Sequence, residues 1–286
     1  MPRVLIAGCG YVGQATAGLF VDRGWEVEGW VRSAESAQKL CGMPYSVLAV
    51  DISDEIQVAN SKNEFDAVVH CASTRGGDID LYRRVYLNGA RNLLGRFIES
   101  TIVFTSSTSV YGQSDGTWVT EESATKPAGE SGRVLLEAEK LVLARGGIVT
   151  RVAGIYGPGR SALLAKFLAG DAIIDAENDR FINRVHRADV SAALFLLSDR
   201  ARASAVERQI YNVVDDEPIL QSECYRWLAK KLNRQLPAIG RSTSKGKRGY
   251  SNKRVSNAKL RGLGWNPRYP TFADGMEKSV LIGAVH

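Results

Sequence analysis

Long hydrophobic runs are missing from this 286-residue sequence. None approaches the ~18–20 apolar residues of a membrane span, so a membrane protein is not expected. Cysteine is scarce: Cys9, Cys41, Cys71 and Cys224 are scattered, without the paired spacing of a zinc site or disulfide scaffold. Cys9 and Cys71 sit in apolar strand-end sequence and read as packing residues. Three histidines and no clustered carboxylates leave no metal site to expect. Internal repeats and low-complexity tracts are absent. The first strand begins almost at once, leaving no room for a secretory signal, and the expected location is cytoplasmic. The net charge of +6 comes from a late basic excess, around Lys245-Gly246-Lys247-Arg248 and Lys253-Arg254. Neither cluster holds an aromatic platform, so a solvated face or a surface for an anionic substrate is expected ahead of nucleic acid binding through 241–254.

What is present is organised around Val4-Leu5-Ile6-Ala7-Gly8-Cys9-Gly10-Tyr11-Val12-Gly13. A short apolar strand ends at Gly8, and Gly8-x-Gly10-x-x-Gly13 turns the chain into a helix through Phe20. Gly8 allows the tight turn, Gly10 a close approach to a pyrophosphate, and Gly13 close packing of helix on strand. The helix N-terminus offers N–H groups to the phosphates. Further strands are expected at Trp25–Val31, Ser46–Val50, Asp66–Ala72, Thr101–Thr105 and Gly147–Val152. Helices are expected between them at Ala34–Leu40, Asp80–Ile98 and Gly132–Ala144. This alternation means parallel β-α-β units and a doubly wound α/β sheet. Beyond Arg151 the rhythm loosens: helices are expected at 161–169, 190–197, 222–232 and 273–280, with a strand at 209–214. The expected domains are a dinucleotide-binding part at 1–153, rejoined by 187–214, and a small, discontinuous substrate lobe within 154–286.

Several segments together resemble the extended short-chain dehydrogenases/reductases, the NAD(P)-dependent epimerases and dehydratases. They include the glycine motif, Val69-His70-Cys71-Ala72, Gly89-Ala90-Arg91-Asn92, and Thr105-Ser106-Ser107-Thr108-Ser109-Val110-Tyr111-Gly112. Arg151 with Ile155-Tyr156-Gly157-Pro158-Gly159-Arg160, Arg184-Val185-His186-Arg187-Ala188-Asp189, and Tyr211-Asn212-Val213-Val214 follow in the family's order. The resemblance implies a Rossmann domain with a small C-terminal substrate lobe. It places cofactor contacts at Gly8, Gly10, Tyr11, Val12, Gly13, Asp51, Ile52, Cys71, Ala72 and Ser73. It brings Ser107, Tyr111, Arg151, Tyr156, Arg160 and Arg184 to a substrate cleft, where arginines suit a diphosphate or carboxylate. An ion pair of Arg151 or Arg184 with Asp189 or Glu137 is an equal alternative. Asp51 alternatively caps the next helix. His186 is expected to serve structure or substrate contact, and His70 a polar strand end. A homodimer through the helices at 80–98 and 132–144 is also raised by the resemblance.

The sequence departs from the family in one respect. The catalytic core there is a Ser/Thr, a Tyr and a Lys four residues later, the Tyr moving a proton while the nicotinamide moves a hydride. Ser107 falls on the serine position, but no Tyr-x-x-x-Lys occurs anywhere in the chain. The family's helix register puts Ser131 and Leu135 there, as in atypical branches. Tyr111 is the candidate substitute acid, with loop packing as its alternative. Glu137, Lys140 and Lys126 read as solvated charges. At the end of the second strand, where NAD-binding relatives carry a carboxylate for the ribose, stand Arg32 and Ser33, while Glu28 comes too early. A guanidinium beside a hydroxyl suits a 2′-phosphate, so NADP(H) is expected ahead of NAD(H). Two functions are carried forward. One is an NADP-dependent oxidoreductase or epimerase-like enzyme on an unidentified sugar-derived or phosphorylated small molecule. The other is a non-catalytic dinucleotide-binding sensor or regulatory protein.

Overall fold

A computed structural model describes residues 1–74, 76–206, 209–241 and 251–282. The basic Lys245–Arg248 cluster and most of the 241–254 segment therefore lie outside the described residues. Seven strands, β1 Arg3–Ala7, β2 Glu26–Val31, β3 Ser46–Ala49, β4 Ala67–His70, β5 Thr101–Ser107, β6 Ile148–Val152 and β7 Ile210–Val213, form one sheet. Their order is β7-β6-β5-β4-β1-β2-β3. β1 pairs in parallel with β2 and β4, β2 with β3, and β4 with β5. Every residue of β4 and β6 is buried, as in a parallel sheet covered on both faces. This is a Rossmann-type doubly wound α/β fold. Its order reverses at β1, whose neighbours β2 and β4 lead away to opposite edges, and ligands of such sheets bind beyond the carboxyl ends of the strands there.

Helices differ in detail from the sequence pattern. α1 spans Tyr11–Asp22 and α2 Ala34–Gln38. A short α3 at Glu55–Ala59, which the apolar periodicity does not announce, is N-capped by Asp54, whose Oδ1 accepts from the N–H groups of Ile56 and Gln57. The helix expected at 80–98 is α4 Ile79–Arg83 and α5 Gly89–Arg96, joined by a π-helical turn at Arg84–Asn88. His70, the last residue of β4, lies under this turn with Nε2 3.1 Å from the Val85 carbonyl. α6 runs from Glu130 to Ala144. The helix expected at 190–197 extends over Arg187–Arg202.

The chain divides into two compact units: Met1–Val110, Glu130–Arg151 and Val190–Tyr211, and then Tyr111–Gly129, Val152–Asp189 and Asn212–His286. In the first, α6 is fastened to the sheet by a buried charge pair. The Arg151 guanidinium donates to Glu139 through Nε (3.2 Å to each oxygen) and Nη2 (2.7 Å to Oε2), and the two side chains are 5% and 3% exposed. Ser106 of β5 donates to the same carboxylate at 2.5 Å. Neither expected partner of Arg151 is used: Glu137 pairs with Arg83 on the surface, and Asp189 accepts from the N–H groups of Arg268 and Tyr269.

The second unit has its own core, in which Tyr156, Phe167, Tyr225, Leu228, Phe272 and Met276 are buried. Tyr111 is 1% exposed, and its hydroxyl donates to Asn212 Oδ1 at 2.8 Å. Lys253, expected on a solvated face, is 4% exposed instead. Its ammonium donates to the Tyr111 carbonyl at 2.9 Å and to Ser251 Oγ at 2.6 Å. Arg254, half-buried, is held as well: Nε donates to the Gly116 carbonyl, and the guanidinium lies over the rings of Trp118 and Phe181. The reason is strand alternation through this segment, which turns Lys253 and Val255 to the buried side. Burial without a carboxylate partner pulls the Lys253 ammonium down to about 8.

Arg151→Met strands the Glu139 carboxylate and is expected to cost about 3–5 kcal/mol in urea unfolding, while adding Glu139→Leu should recover much of that loss. Equal losses in the single and double variants would remove the pair from the account. For Lys253, the unfolded chain holds the proton more tightly between pH 8 and the usual 10.5. Stability from this group is therefore full above that window and lost as pH falls through about 8. Unfolding curves at pH 7.5 and 10 should show the wild type gaining roughly 2–3 kcal/mol on Lys253→Met across that interval. A flat difference would mean the ammonium is solvated after all.

Candidate functional site

The carboxyl end of β1 is built around missing side chains. Gly8 turns with φ +103°, and a Cβ there would meet the Ala72 nitrogen at 2.2 Å. A Cβ on Gly13, in the first turn of α1, would lie 2.3 Å from the Gly8 carbonyl oxygen. The loop is tied to the end of β2, because Gly8 and Cys9 both donate N–H bonds to the Trp30 carbonyl at 3.1 and 2.8 Å. Gly10 occupies the N-cap position of α1, Tyr11 and Val12 open the helix, and no side chain caps it. No acidic residue stands in its first turn, so nothing there neutralises the positive end of the helix. Backbone packed this closely at a helix start is what a phosphate-binding turn requires.

Around this turn stand the other positions expected to meet a dinucleotide. Arg32 follows β2 directly, is exposed and bonds to no described residue. Ser33 is the N-cap of α2, its Oγ accepting from the Ser36 N–H at 3.3 Å. Glu28 points elsewhere, accepting from Trp30 Nε1 and Asn63 Nδ2 inside the fold. Asp51 does not cap the following helix, a role Asp54 takes; its Oδ1 accepts from the Ser53 N–H and hydroxyl. Ile52 is 5% exposed, its side chain filling the space beside Gly89. Cys71 donates its thiol to the Gly8 carbonyl at 3.3 Å, Ala72 backs Gly8, and Ser73 is exposed. Burial pushes the thiols of Cys9 and Cys71 up, which leaves both as neutral packing groups.

The positions expected to do chemistry are placed less uniformly. Ser107 ends β5 and accepts from the Ser109 N–H at 3.2 Å. On α6, Ser131 is half-buried and Leu135 is buried within the helix's apolar face. Tyr111 has its hydroxyl engaged with Asn212, as described. Arg151 is held by Glu139, which takes its guanidinium into the first unit's interior. Tyr156 belongs to the core of the second unit, where its hydroxyl donates to the Thr271 carbonyl at 3.3 Å. Arg160 is exposed at the turn it forms with Gly157. His186 has Nε2 3.0 Å from Ser279 Oγ and accepts through Nδ1 from the Ala188 N–H, and burial draws it down to about 4. The same cause draws His70 down to about 4, so both rings are neutral at physiological pH. Arg184 makes no hydrogen bond through its guanidinium.

Three buried polar groups escaped the sequence pattern. Glu139 shares the helical face of Val134, Leu135, Ala138 and Val142, and a carboxylate on that stripe was its signal. Lys253 alternates with Val255, a weak signal inside a charge run. Asp215 follows β7 in an acidic Asp-Asp-Glu stretch that gives no hint of burial. Among the described residues no group of three His, Cys, Asp or Glu side chains is arranged to hold a metal. None of the described helices is long and apolar enough to cross a membrane.

Comparison with known proteins agrees with this geometry. Residues 4–213 match the family model described as the NAD dependent epimerase/dehydratase family. Protein YeeZ of Escherichia coli K12 is 29% identical, the alignment covering 94% of this chain and 97% of YeeZ. A structure from Methylobacillus flagellatus, provisionally assigned as an NAD-dependent epimerase/dehydratase, superposes with TM-score 0.82 at 28% identity, over 100% of this chain and 99% of that one. The Thermus thermophilus UDP-glucose 4-epimerase in complex with NAD shares the fold, with TM-score 0.81 and 20% identity over 100% and 99% of the two chains. With the glycine turn and the reversing sheet in place, the match over most of its length shows that this chain belongs to the NAD-dependent epimerase/dehydratase family.

Proposed function

We propose that the protein is an NADP(H)-dependent oxidoreductase or epimerase-like enzyme acting on a sugar-derived or phosphorylated small molecule. The observation that carries the reading is the turn itself, where Gly8 and Gly13 leave no room for side chains and an uncapped α1 begins. Residues Gly8 to Gly13 would hold the pyrophosphate through backbone N–H groups. Arg32, exposed and unpaired beside the Ser33 hydroxyl, suits a 2′-phosphate, since a guanidinium grips it with paired charge-assisted bonds. Asp51 keeps one carboxylate oxygen outside its Ser53 bonds and suits an adenine amine. The dinucleotide, once bound, supplies hydride chemistry.

Ser107 is the residue assigned to orient the substrate oxygen. The proton is the open element of the site. Ser131 and Leu135 have no group titrating near neutral pH, and Tyr111 acts as an acid only by giving up its bond to Asn212. That engagement supports loop packing for Tyr111 and favours slow turnover on ordinary nucleotide sugars, because general acid–base help is worth ~10²–10⁴ in rate. The same observation supports the second reading, a dinucleotide-binding sensor or regulatory protein.

Titration of intrinsic tryptophan fluorescence is expected to show NADPH binding at least several-fold tighter than NADH, and Arg32→Ala should erase most of the difference. Equal affinities in the wild type would remove Arg32 from the reading. Assays with UDP- and dTDP-sugars should show no epimerase turnover above background. Robust turnover that survives Tyr111→Phe would show a proton donor elsewhere, while a protein that binds NADPH and oxidises it with none of the substrates tried would favour the sensor reading.

A further inference from the structure

An aromatic ladder rises from the sheet of the first unit. His70 ends β4 and is fully buried, and Phe104, its register partner on β5, meets the imidazole edge-on at 5.1 Å. The Tyr86 ring lies nearly parallel to the imidazole, with centroids 6.4 Å apart and planes inclined by 8°. Tyr82 follows on Tyr86, their centroids 4.3 Å apart, and both tyrosines are half-buried, unlike the two rings beneath them. His70 Nε2, 3.1 Å from the Val85 carbonyl, fixes the π-helical turn that carries Tyr86.

The direction of the ladder follows from the chain. α4 begins the connection between β4 and β5, two parallel neighbours, so it runs back along the sheet from the carboxyl edge. Tyr82 precedes Tyr86 by about one helical turn and therefore stands about 6 Å further out, beyond the end of β4. Ser107 reaches the same edge: it ends β5 three residues past Phe104, about 10 Å at strand spacing. The Arg83–Glu137 pair, at 2.8 Å, ties α4 to α6, the helix of Ser131 and Leu135. An aromatic ring thus stands at the edge where sheets of this kind bind ligands, while Ser107, Ser131 and Leu135 carry no group that titrates near neutral pH. Burial keeps the His70 imidazole neutral, which leaves it as a support for the rings.

Hydride transfer to an ordinary ketone leaves an alkoxide, which needs an acid beside it. Hydride transfer to a quinone leaves a hydroquinone anion, a phenolate whose acid is about as weak as a tyrosine hydroxyl (~10) and which takes its proton from water. We propose that Tyr82, backed by Tyr86 and His70, is a platform for a planar quinone, which the protein reduces with NADPH. The quinone lies offset on the Tyr82 ring, an arrangement that aromatic pairs favour. Quinone, NADPH and one proton give hydroquinone and NADP⁺. The dinucleotide is oxidised by two electrons, which pass to the quinone with one proton as hydride, and solvent supplies the second proton. This activity goes beyond a sugar-derived or phosphorylated substrate and rests only on the dinucleotide part of that reading.

The test uses the full-length protein with menadione, and with 1-decalone as a saturated ketone of similar size. Isothermal titration without dinucleotide should show saturable menadione binding at least ~3-fold tighter than that of 1-decalone. Under anaerobic conditions menadione should drive NADPH oxidation, read as loss of NADPH absorbance, and 1-decalone should not. Tyr82→Leu should weaken menadione binding by roughly 3–10-fold while leaving the NADPH affinity within about twofold. Tyr82→Phe, which keeps the ring and loses the hydroxyl, should keep both binding and turnover. Equal binding of the two compounds by the wild type overturns the platform, and this comparison stands by itself if Tyr82→Leu does not fold. Unchanged menadione binding in Tyr82→Leu, or equal losses in Tyr82→Leu and Tyr82→Phe, overturns it as well. Menadione bound without NADPH oxidation, in a protein that binds NADPH, overturns the quinone reduction. A protein that fails to bind NADPH overturns the dinucleotide reading instead, and the menadione titration then still decides the platform.

Discussion

Close approach of backbone to backbone at the end of β1 is the constraint on which the rest depends. Gly8 lies against Ala72, and Gly13 lies against Gly8, so strand, turn and helix meet with no side chain between them. That contact sets where α1 starts, and the Trp30 carbonyl, accepting from Gly8 and Cys9, sets the turn against β2. The surrounding sequence serves this junction: β1 and β4 are buried along their pairing, and Cys71 adds a thiol bond to the Gly8 carbonyl. A methyl group at either glycine would have to displace main chain, which a packed interior resists.

Buried charge is handled in two different ways. In the first unit, Arg151 and Ser106 both donate to Glu139, an arrangement that holds α6 on the sheet. In the second unit, Lys253 uses backbone and hydroxyl acceptors, while the buried Arg184 Nε uses nothing. Satisfied buried groups specify structure, whereas unsatisfied ones are either a cost or a binding surface. That contrast separates arginines that look alike in sequence: Arg151 and Arg184 both sit in family motifs, and only the second has its donors available.

The fate of the proton is the chemical consequence. Ser107 ends β5, and Leu135 lies on the buried face of α6. Neither side chain carries a group that titrates near neutral pH. Tyr111 has the right functional group, but its hydroxyl closes a bond to Asn212, whose own N–H is tied to the Glu121 carboxylate.

Local pattern determined the architecture of this protein. Alternating strands and helices dictated a doubly wound sheet, the glycine spacing located the tight turn between β1 and α1, and the absence of Tyr-x-x-x-Lys was legible without coordinates. These are properties of residues close together in the chain, where period and backbone freedom decide. Tertiary structure alone decided which charges are inside. Lys253 and Arg254 belong to a basic run, yet strand alternation turns Lys253 to the buried side, while Arg254 stays half-buried over the rings of Trp118 and Phe181. Asp51 looks like a helix cap, but Asp54 holds that position because α3 begins only at Glu55. Arg151 found Glu139 twelve residues away rather than Glu137 or Asp189, and Arg184 found no partner at all. Burial and partnership arise from elements brought together across the fold, and no local period encodes them.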